Sequence, residues 1–393
     1  MSKKLLFLIT VIIVSLVGAV IWVAPLLSEW KKDSKTTVED VVDKAMKNRT
    51  GEILSTSTLS ITEAVLKDQK IINILLLGLD SRKSATSSHC DAIHMFSLDV
   101  EKWTIKITSV PRGTYVYIPP GNFPPGQYYL GNACRLAGHE YTIKQIEKIL
   151  GIKADFVIKV GFSQTLGILR LLKLPTTESL QWLRDRQSFG IGDPQRSHNQ
   201  AVFMKDVIIK TIGPSSAITM LPLTKIGFSF VDSELSFPYF YALLKGYAES
   251  DLAKHPERIT LTMKPYFATV DYHLDLDNPE KSLTKFPLPA VIRTSTQSIE
   301  AVQADLIKYL KDRITDKNNV QDILDKRLWL QIEDGQIREE VHFQLIKKQL
   351  ASLKDSKEIV YLLDNYIFEK QYLGLTEWAE KGKGLLKTTS QVE

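Results

Sequence analysis

Residues Leu5–Leu27 form one uncharged and almost wholly apolar run. A helix rising about 1.5 Å per residue over such a run crosses a hydrocarbon layer of about 30 Å. Lys3 and Lys4 precede it, and the positive-inside rule then places everything after Leu27 outside. A cleaved signal peptide has a shorter apolar stretch ending in small residues. Here the run passes through Trp22 and Pro25, so a retained, single-pass cell-membrane anchor is expected, with the C-terminal bulk extracytoplasmic.

The chain has 393 residues, which suits an anchor, one sizeable domain and an extra piece. The expected divisions are an anchor at 1–27, an extracytoplasmic stalk at 28–70, an α/β domain at 71–290 and a helical extension at 291–393. Apolar residues make up 44% of the chain, and the net charge is +5 without a basic stripe. That composition supports a core and argues against nucleic acid as a partner. It permits an anionic substrate. The two cysteines, Cys90 and Cys134, allow one bridge. Whether their Cα atoms lie close enough is left open by the sequence.

Ile71–Leu79 (IINILLLGL) is a short continuous apolar run bounded by Asp80-Ser81-Arg82, the pattern of a buried central strand. Ala92–Leu98 and the alternating Trp103–Val110 predict two more strands, and Phe156–Val160 a fourth. Tyr115–Ile118 is a short extended piece ending at Pro119-Pro120-Gly121. Ile143, Ile146, Ile149 and Leu150 predict a helix over Tyr141–Leu150. Gln200–Ile212 predicts an apolar helix stopped by Gly213-Pro214. Alternating strands and helices predict a three-layer αβα sandwich around a mixed sheet. Beyond Gln297 the periodicity is helical, and the tail Gly382–Glu393 is expected to fray.

Three polar clusters fall at expected strand or helix ends. The first is Asp80 with Arg82 and Asp91. Two carboxylates in loops beside adjacent strands could share Mg²⁺, which leaves room for phosphate oxygens. The second is Pro111-Arg112-Gly113, where a guanidinium at a sheet edge can fork phosphate oxygens. The third is Arg184, Arg186, Asp193 and Arg196, then Gln200 opening a helix. Arginines before a helix N-terminus make a diphosphate cradle. Taken alone, the first cluster reads more readily as a turn Asp with a solvated Arg, the second as a surface Arg, and the third equally as a charged, solvated loop. The histidines show no metal spacing, and His89, His94, His139 and His198 read as ordinary polar residues.

The order of these clusters resembles the LytR-CpsA-Psr family of envelope phosphotransferases, from about Ile72 to Lys210. The carriers are NILLLGLDSR, His89-Cys90-Asp91, Ser109-Val110-Pro111-Arg112-Gly113-Thr114, Gly131–Arg135 through Gly138-His139, and Arg184, Arg186, Gly192-Asp193, Arg196 and Asn199-Gln200. The resemblance implies a membrane-anchored enzyme that moves a glycan phosphate from a polyprenyl-pyrophosphate carrier onto a peptidoglycan hydroxyl. It implies Mg²⁺ on Asp80 and Asp91, and a lipid chain in an apolar tunnel. Asp80, Asp91 and Arg112 would act in catalysis. Arg82, Arg184, Arg186, Asp193, Arg196 and Gln200 would bind substrate. The chain departs from the family pattern at His89 (for Arg), Gly113 (for Asp) and Asn199 (for Arg), and Leu172–Leu183 lacks the family's Gly-Gly-Val. These departures remove charge and predict weakened catalysis. The alternative is a catalytically degenerate binding or scaffolding protein, with the C-terminal helices holding a protein partner.

Overall fold

The computed structural model describes residues 36–53, 70–80, 88–212, 221–285, 299–316, 319–325 and 327–389. In chain order the first elements are α1 (Val38–Ile53), β1 (Ile71–Leu79), β2 (Cys90–Asp99) and β3 (Thr104–Ser109). Then come α2 (Leu130–Leu136), α3 (His139–Leu150), β4 (Phe156–Gly161), α4 (Phe162–Leu171), α5 (Thr176–Arg184) and α6 (Asp193–Thr211). They are followed by α7 (Leu221–Ser229), β5 (Asp232–Ser233), α8 (Phe237–Glu249), β6 (Ile259–Met263) and α9 (Pro279–Lys285). The last elements are α10 (Ile299–Thr315), α11 (Gln321–Asp325), α12 (Gly335–Leu350), α13 (Ser356–Tyr372) and α14 (Thr376–Thr389).

The strands form one mixed sheet in the order β5-β4-β1-β2-β3-β6. β1 runs parallel to β4 and antiparallel to β2. β3 is antiparallel to β2 and parallel to β6. The apolar run of β1 follows from its central place, because both of its faces are covered. Ile72 and Ile74 join the core under α1, α6 and α8, with Ala201, Leu243 and Tyr247. Leu75 and Leu77 face the opposite core, with Ala133, Ile146 and Leu150 of α2 and α3. Alternate residues of a strand point to opposite faces, and Ile72, Leu75 and Leu77 are all fully buried. Each such side chain contributes about 1.5–3 kcal/mol of burial free energy. The result is the expected three-layer arrangement.

Cys90, the first residue of β2, and Cys134 of α2 form a disulfide with Cα atoms 5.8 Å apart. The bridge ties one helical layer to the sheet, and it resolves the alternative that the sequence leaves open.

Three expectations need correction. Val38–Ile53 lies in the segment read as a partly helical stalk; it is a helix, but one docked on the sheet rather than standing apart from the domain. Val41 and Ala45 are buried in the core. Arg49 pairs with Asp155 at 2.5 Å, and Asp155 also accepts the Asn73 N–H at 2.7 Å. The helix predicted from Gln200 begins at Asp193, because Pro194 favours a first helical turn. The tail expected to fray is helical as far as Thr389, and Leu385 and Leu386 pack on Leu363 and Ile367.

The C-terminal helices are joined to the α/β domain through α4 and α7. Ile226 and Phe230 share a core with Leu310, Trp329 and Leu345. Arg170 donates to the Leu330 carbonyl at 2.7 Å, and Gln331 donates to Ser163 Oγ at 2.6 Å. Among the described residues no helix is long and apolar enough to cross a membrane. The expected anchor, Leu5–Leu27, lies outside them.

Candidate functional site

The C-terminal ends of β1, β3, β4 and β6 and the start of β2 all reach one edge of the sheet. Loops at such an edge are held by a rigid scaffold and are free to carry polar groups.

Asp80 follows β1, and its N–H donates to the His89 carbonyl at 3.0 Å. Asp91 is the inserted residue of a β-bulge, since Gly78 pairs with Ala92 and Leu79 with Cys90. A bulge re-aims the inserted side chain out of the regular alternation. The Asp91 carboxylate accepts a hydrogen bond from Arg112 Nη1. Arg112 Nε also lies 3.8 Å from Asp193 Oδ1. Asp193 is the first residue of α6, where the helix dipole favours a carboxylate. Gly192 makes this start possible by taking φ +65°, a conformation that side chains disfavour. Asp193 Oδ1 pairs with Arg196 Nη2, and Oδ2 accepts the Gly113 N–H at 3.2 Å. Arg196 Nη2 then returns to the Asp91 carbonyl at 3.1 Å. Asp91, Arg112, Asp193 and Arg196 thus close a ring.

Within the ring two guanidinium groups face two carboxylates, and Arg186 adds a cation beside it. Arg196 is 4% exposed. Burial, opposed by Asp193 and Asp91 and aided by Arg112 and Arg186, holds its guanidinium below the usual arginine range. Arg112 moves the other way: burial opposes its charge, but Asp91 and Asp193 outweigh it. Around Arg196 stand two arginines (112 and 186) and two aspartates (91 and 193). Arg196 Nε is buried without a hydrogen-bond partner. A bound anion would offset the charge that Arg186 adds beside the ring.

The other expected site residues sit around this ring. Arg186 is exposed and acts on Arg196 through charge. Arg184 is exposed at the end of α5 and lies 5.5 Å from the centre of the Phe162 ring, a cation–π distance. Arg82 lies outside the described residues. Gln200 stands behind the ring rather than in it. Its Nε2 donates to the Leu183 carbonyl at 2.9 Å, and its Oε1 lies 3.2 Å from His94 Nε2. His94 Nδ1 lies 3.1 Å from Ser109 Oγ, which donates to the Ser197 carbonyl at 3.4 Å. Burial first, and Arg196 next, push His94 down to about 4 against a helping Gln200, so the imidazole stays neutral. His94 and Ser109 fasten α6 to the sheet. The periodicity of β2 places His94 beside the core residues Ile93 and Met95, the one sequence signal for this supporting role.

The departures from the family pattern also have places. Gly113 is exposed, and an added Cβ would meet only Asp193 Oδ2, at 3.7 Å. Asn199 is buried and accepts from Gln195 Nε2 at 2.8 Å, and that nitrogen also donates to the Val270 carbonyl. Asn199 therefore serves packing of the 264–278 segment rather than the ring. The carboxylates of Asp80 and Asp91, hard oxygen donors on neighbouring strand ends, are the donor set that suits Mg²⁺. A cavity of about 380 Å³ opens over β3 and β6, lined by Lys106, Thr108, Leu150, His198, Lys264 and Tyr266. None of the four ring residues lines it.

Residues 30–165 match the LytR_cpsA_psr family. The polyisoprenyl-teichoic acid–peptidoglycan teichoic acid transferase TagT of Bacillus subtilis strain 168 is 28% identical over 95 residues. That stretch is 23% of this chain and only 28% of the relative's length. A crystal structure of B. subtilis TagV aligns at 17% identity with a TM-score of 0.43, covering 55% of this chain and 95% of that one. A structure of TagT bound to LIIa-WTA aligns at 18% identity with a TM-score of 0.37, covering 56% of this chain and 89% of that one.

Proposed function

We propose, from the premise that this chain belongs to the LytR-CpsA-Psr family, that it transfers a glycan phosphate from a polyprenyl-pyrophosphate carrier to a cell-wall hydroxyl. The observation that carries this reading is the ring in which Arg112 and Arg196 share Asp193, with Arg186 beside it. Phosphoryl transfer asks for positioning and charge neutralisation more than for covalent help from the protein.

In the proposed reaction the acceptor hydroxyl attacks the glycan-bearing phosphorus. A new P–O bond forms to the acceptor, the bond to the bridging oxygen breaks, and polyprenyl phosphate leaves. Arg112, Arg186 and Arg196 hold the pyrophosphate oxygens, and Arg82 and Arg184 bind further substrate oxygens. Asp91, beside Arg112, takes the hydroxyl proton. Asp193 keeps the guanidinium groups of Arg112 and Arg196 in place, and Gln200, anchored to Leu183 and His94, holds α6 in register. Asp80 and Asp91 would hold Mg²⁺, which when bound neutralises phosphate charge. The Leu5–Leu27 segment would anchor the domain at the outer face of the cell membrane, beside both carrier lipid and peptidoglycan.

Gly113 favours a second reading, in which the chain binds the carrier with little turnover. No carboxylate stands at this exposed place beside Asp193, and losing one preorganised group costs about 10²–10³ in rate. One experiment separates the readings. The full chain in detergent, given a polyprenyl-pyrophosphoryl glycan, peptidoglycan fragments and Mg²⁺, should release polyprenyl phosphate, and Arg196→Ala should release far less. Carrier binding without release would leave the binding role. Neither binding nor release would reject both.

A further inference from the structure

Gly113 opens an excursion of the chain that returns to the ring at Gly131, and the sequence between them carries no charged residue. Its base is stapled to the ring. The Gly131 N–H donates to the Arg112 carbonyl at 2.8 Å, and the Leu130 N–H to the Thr114 carbonyl at 2.9 Å. Tyr115 bridges Tyr129 in antiparallel fashion, and Tyr129 acts electrostatically on Arg112. The disulfide from Cys134, just past the excursion, ends at Cys90, the neighbour of Asp91. The excursion and the ring are therefore one rigid unit.

Within it, alternation sorts the side chains. Val116 and Ile118 point into the core, 6% and 0% exposed. Tyr115 and Tyr117 point outward, 73% and 55% exposed. Tyr128 stands between the two exposed rings, with centroids 6.3 Å from Tyr115 and 6.2 Å from Tyr117 and interplanar angles of 37° and 24°. The three rings are held from behind. Tyr128 Oη accepts the Phe123 N–H at 3.2 Å, and the Tyr117 carbonyl accepts from Tyr141 Oη at 2.6 Å. Large aromatic faces left in water, on a backbone fixed by prolines and a bridge, are an arrangement that folding alone does not require.

We propose that Tyr115, Tyr117 and Tyr128 form a platform for the neutral sugar rings of a glycan, continuous with the anion ring. Aromatic faces carry the negative part of the ring quadrupole, and the C–H edges of a pyranose present weak positive charge to it. Asn122 and Gln127 lie on the same excursion and add amide donors and acceptors. The absence of Lys and Arg from the excursion argues against an anionic bilayer as the occupant, since basic residues drive that attraction. A neutral platform beside the ring's arginines matches a sugar joined to a phosphate, or a sugar acceptor brought up to one. The proposal rests on the transferase reading for the phosphate half alone.

The full chain in detergent is titrated with a β-1,4-linked N-acetylglucosamine tetrasaccharide and, separately, with inorganic pyrophosphate. Saturable saccharide binding is expected. The double variant Tyr115→Ala/Tyr117→Ala should weaken it about tenfold or more, the scale of a lost ring stack, while pyrophosphate affinity and the circular dichroism spectrum hold. Tyr115→Phe/Tyr117→Phe should retain most saccharide affinity, because the faces survive. Absence of saccharide binding, or equal affinity in the alanine variant, overturns the platform even when pyrophosphate binds. Saccharide binding without pyrophosphate binding keeps the platform and contradicts the transferase reading. Binding to phosphatidylglycerol vesicles that the alanine variant loses, with no saccharide binding, would assign the rings to a membrane and overturn the proposal.

Discussion

The sheet-edge ring and the ionic network of the C-terminal helices are built from the same side-chain types and arranged to different ends. In the C-terminal network Lys370, 1% exposed, lies 2.5 Å from Glu339 and 3.1 Å from Glu369, and Arg327 reaches Glu369 at 3.3 Å. With Arg338, which lies 3.3 Å from Glu339, three cations face two carboxylates, all within helices or just before them. Burial opposes the charge on Glu369, yet Lys370 and Arg327 together hold its carboxyl below the usual range. His342 is stacked 4.1 Å from Trp329 and kept neutral, first by burial and then by the same two cations. At the sheet edge two arginines and two aspartates form the ring, and two further arginines, Arg184 and Arg186, stand in solvent. The enclosed network is finished by the fold itself. The one at strand ends lies open to solvent, where the proposed anion would join it.

That contrast breaks first where the enclosed network is cut. Glu369→Ala leaves Lys370 and Arg327 short of a partner in the interior, and should cost about 3–5 kcal/mol in urea unfolding. Its effect on anion affinity should be indirect and far smaller. A mild effect on stability would mean that the network is wetter than its burial suggests.

The neutral histidine behind the ring gives the next test. Buried His94 has its pKa lowered to about 4, whereas an unfolded histidine titrates near 6.5. As pH falls through that interval the unfolded chain takes up a proton that the folded chain refuses. Stability should therefore drop between about pH 6.5 and 4, by at most about 3 kcal/mol from this group. His342 is shifted in the same direction, so comparing His94→Gln with the parent chain isolates the share of His94. An unchanged slope would place the proton elsewhere.

Arg196→Ala should spare stability more than Glu369→Ala does and should lower pyrophosphate affinity about 10- to 100-fold, the worth of a charge-assisted contact. Smallest is Gly113→Asp. The site has room for it, since a Cβ there meets only Asp193 Oδ2 at 3.7 Å. The added carboxylate should leave folding almost unchanged and weaken pyrophosphate binding about 3- to 10-fold by repelling the anion. Tighter binding would show that the ring is short of carboxylate, not of anion.

How far the sequence anticipates this depends on burial. β1 is legible to the residue, because a strand covered on both faces reads as one apolar run between polar ends. β6 is not, because Ile259–Met263 is a short edge strand whose threonines, among them the exposed Thr260, dilute the pattern. Residues Asp193–Asn199 read as a charged loop, although Pro194 in the first turn marked a helix start. The pairing of Arg112 with Asp193 joins residues far apart in sequence and is invisible without the sheet that brings β3 and α6 together. The enclosed Lys370 network is invisible for a related reason: on a helix, a buried lysine looks like any solvated one.

The central claim is that Arg112 and Arg196 serve one anion site. Calorimetric titration of a short-chain prenyl pyrophosphate into the full chain and into Arg112→Ala/Arg196→Ala tests it directly. The account expects binding that weakens with salt and falls about 100-fold or more in the variant, whose fold persists. Equal affinity in a folded variant would contradict it.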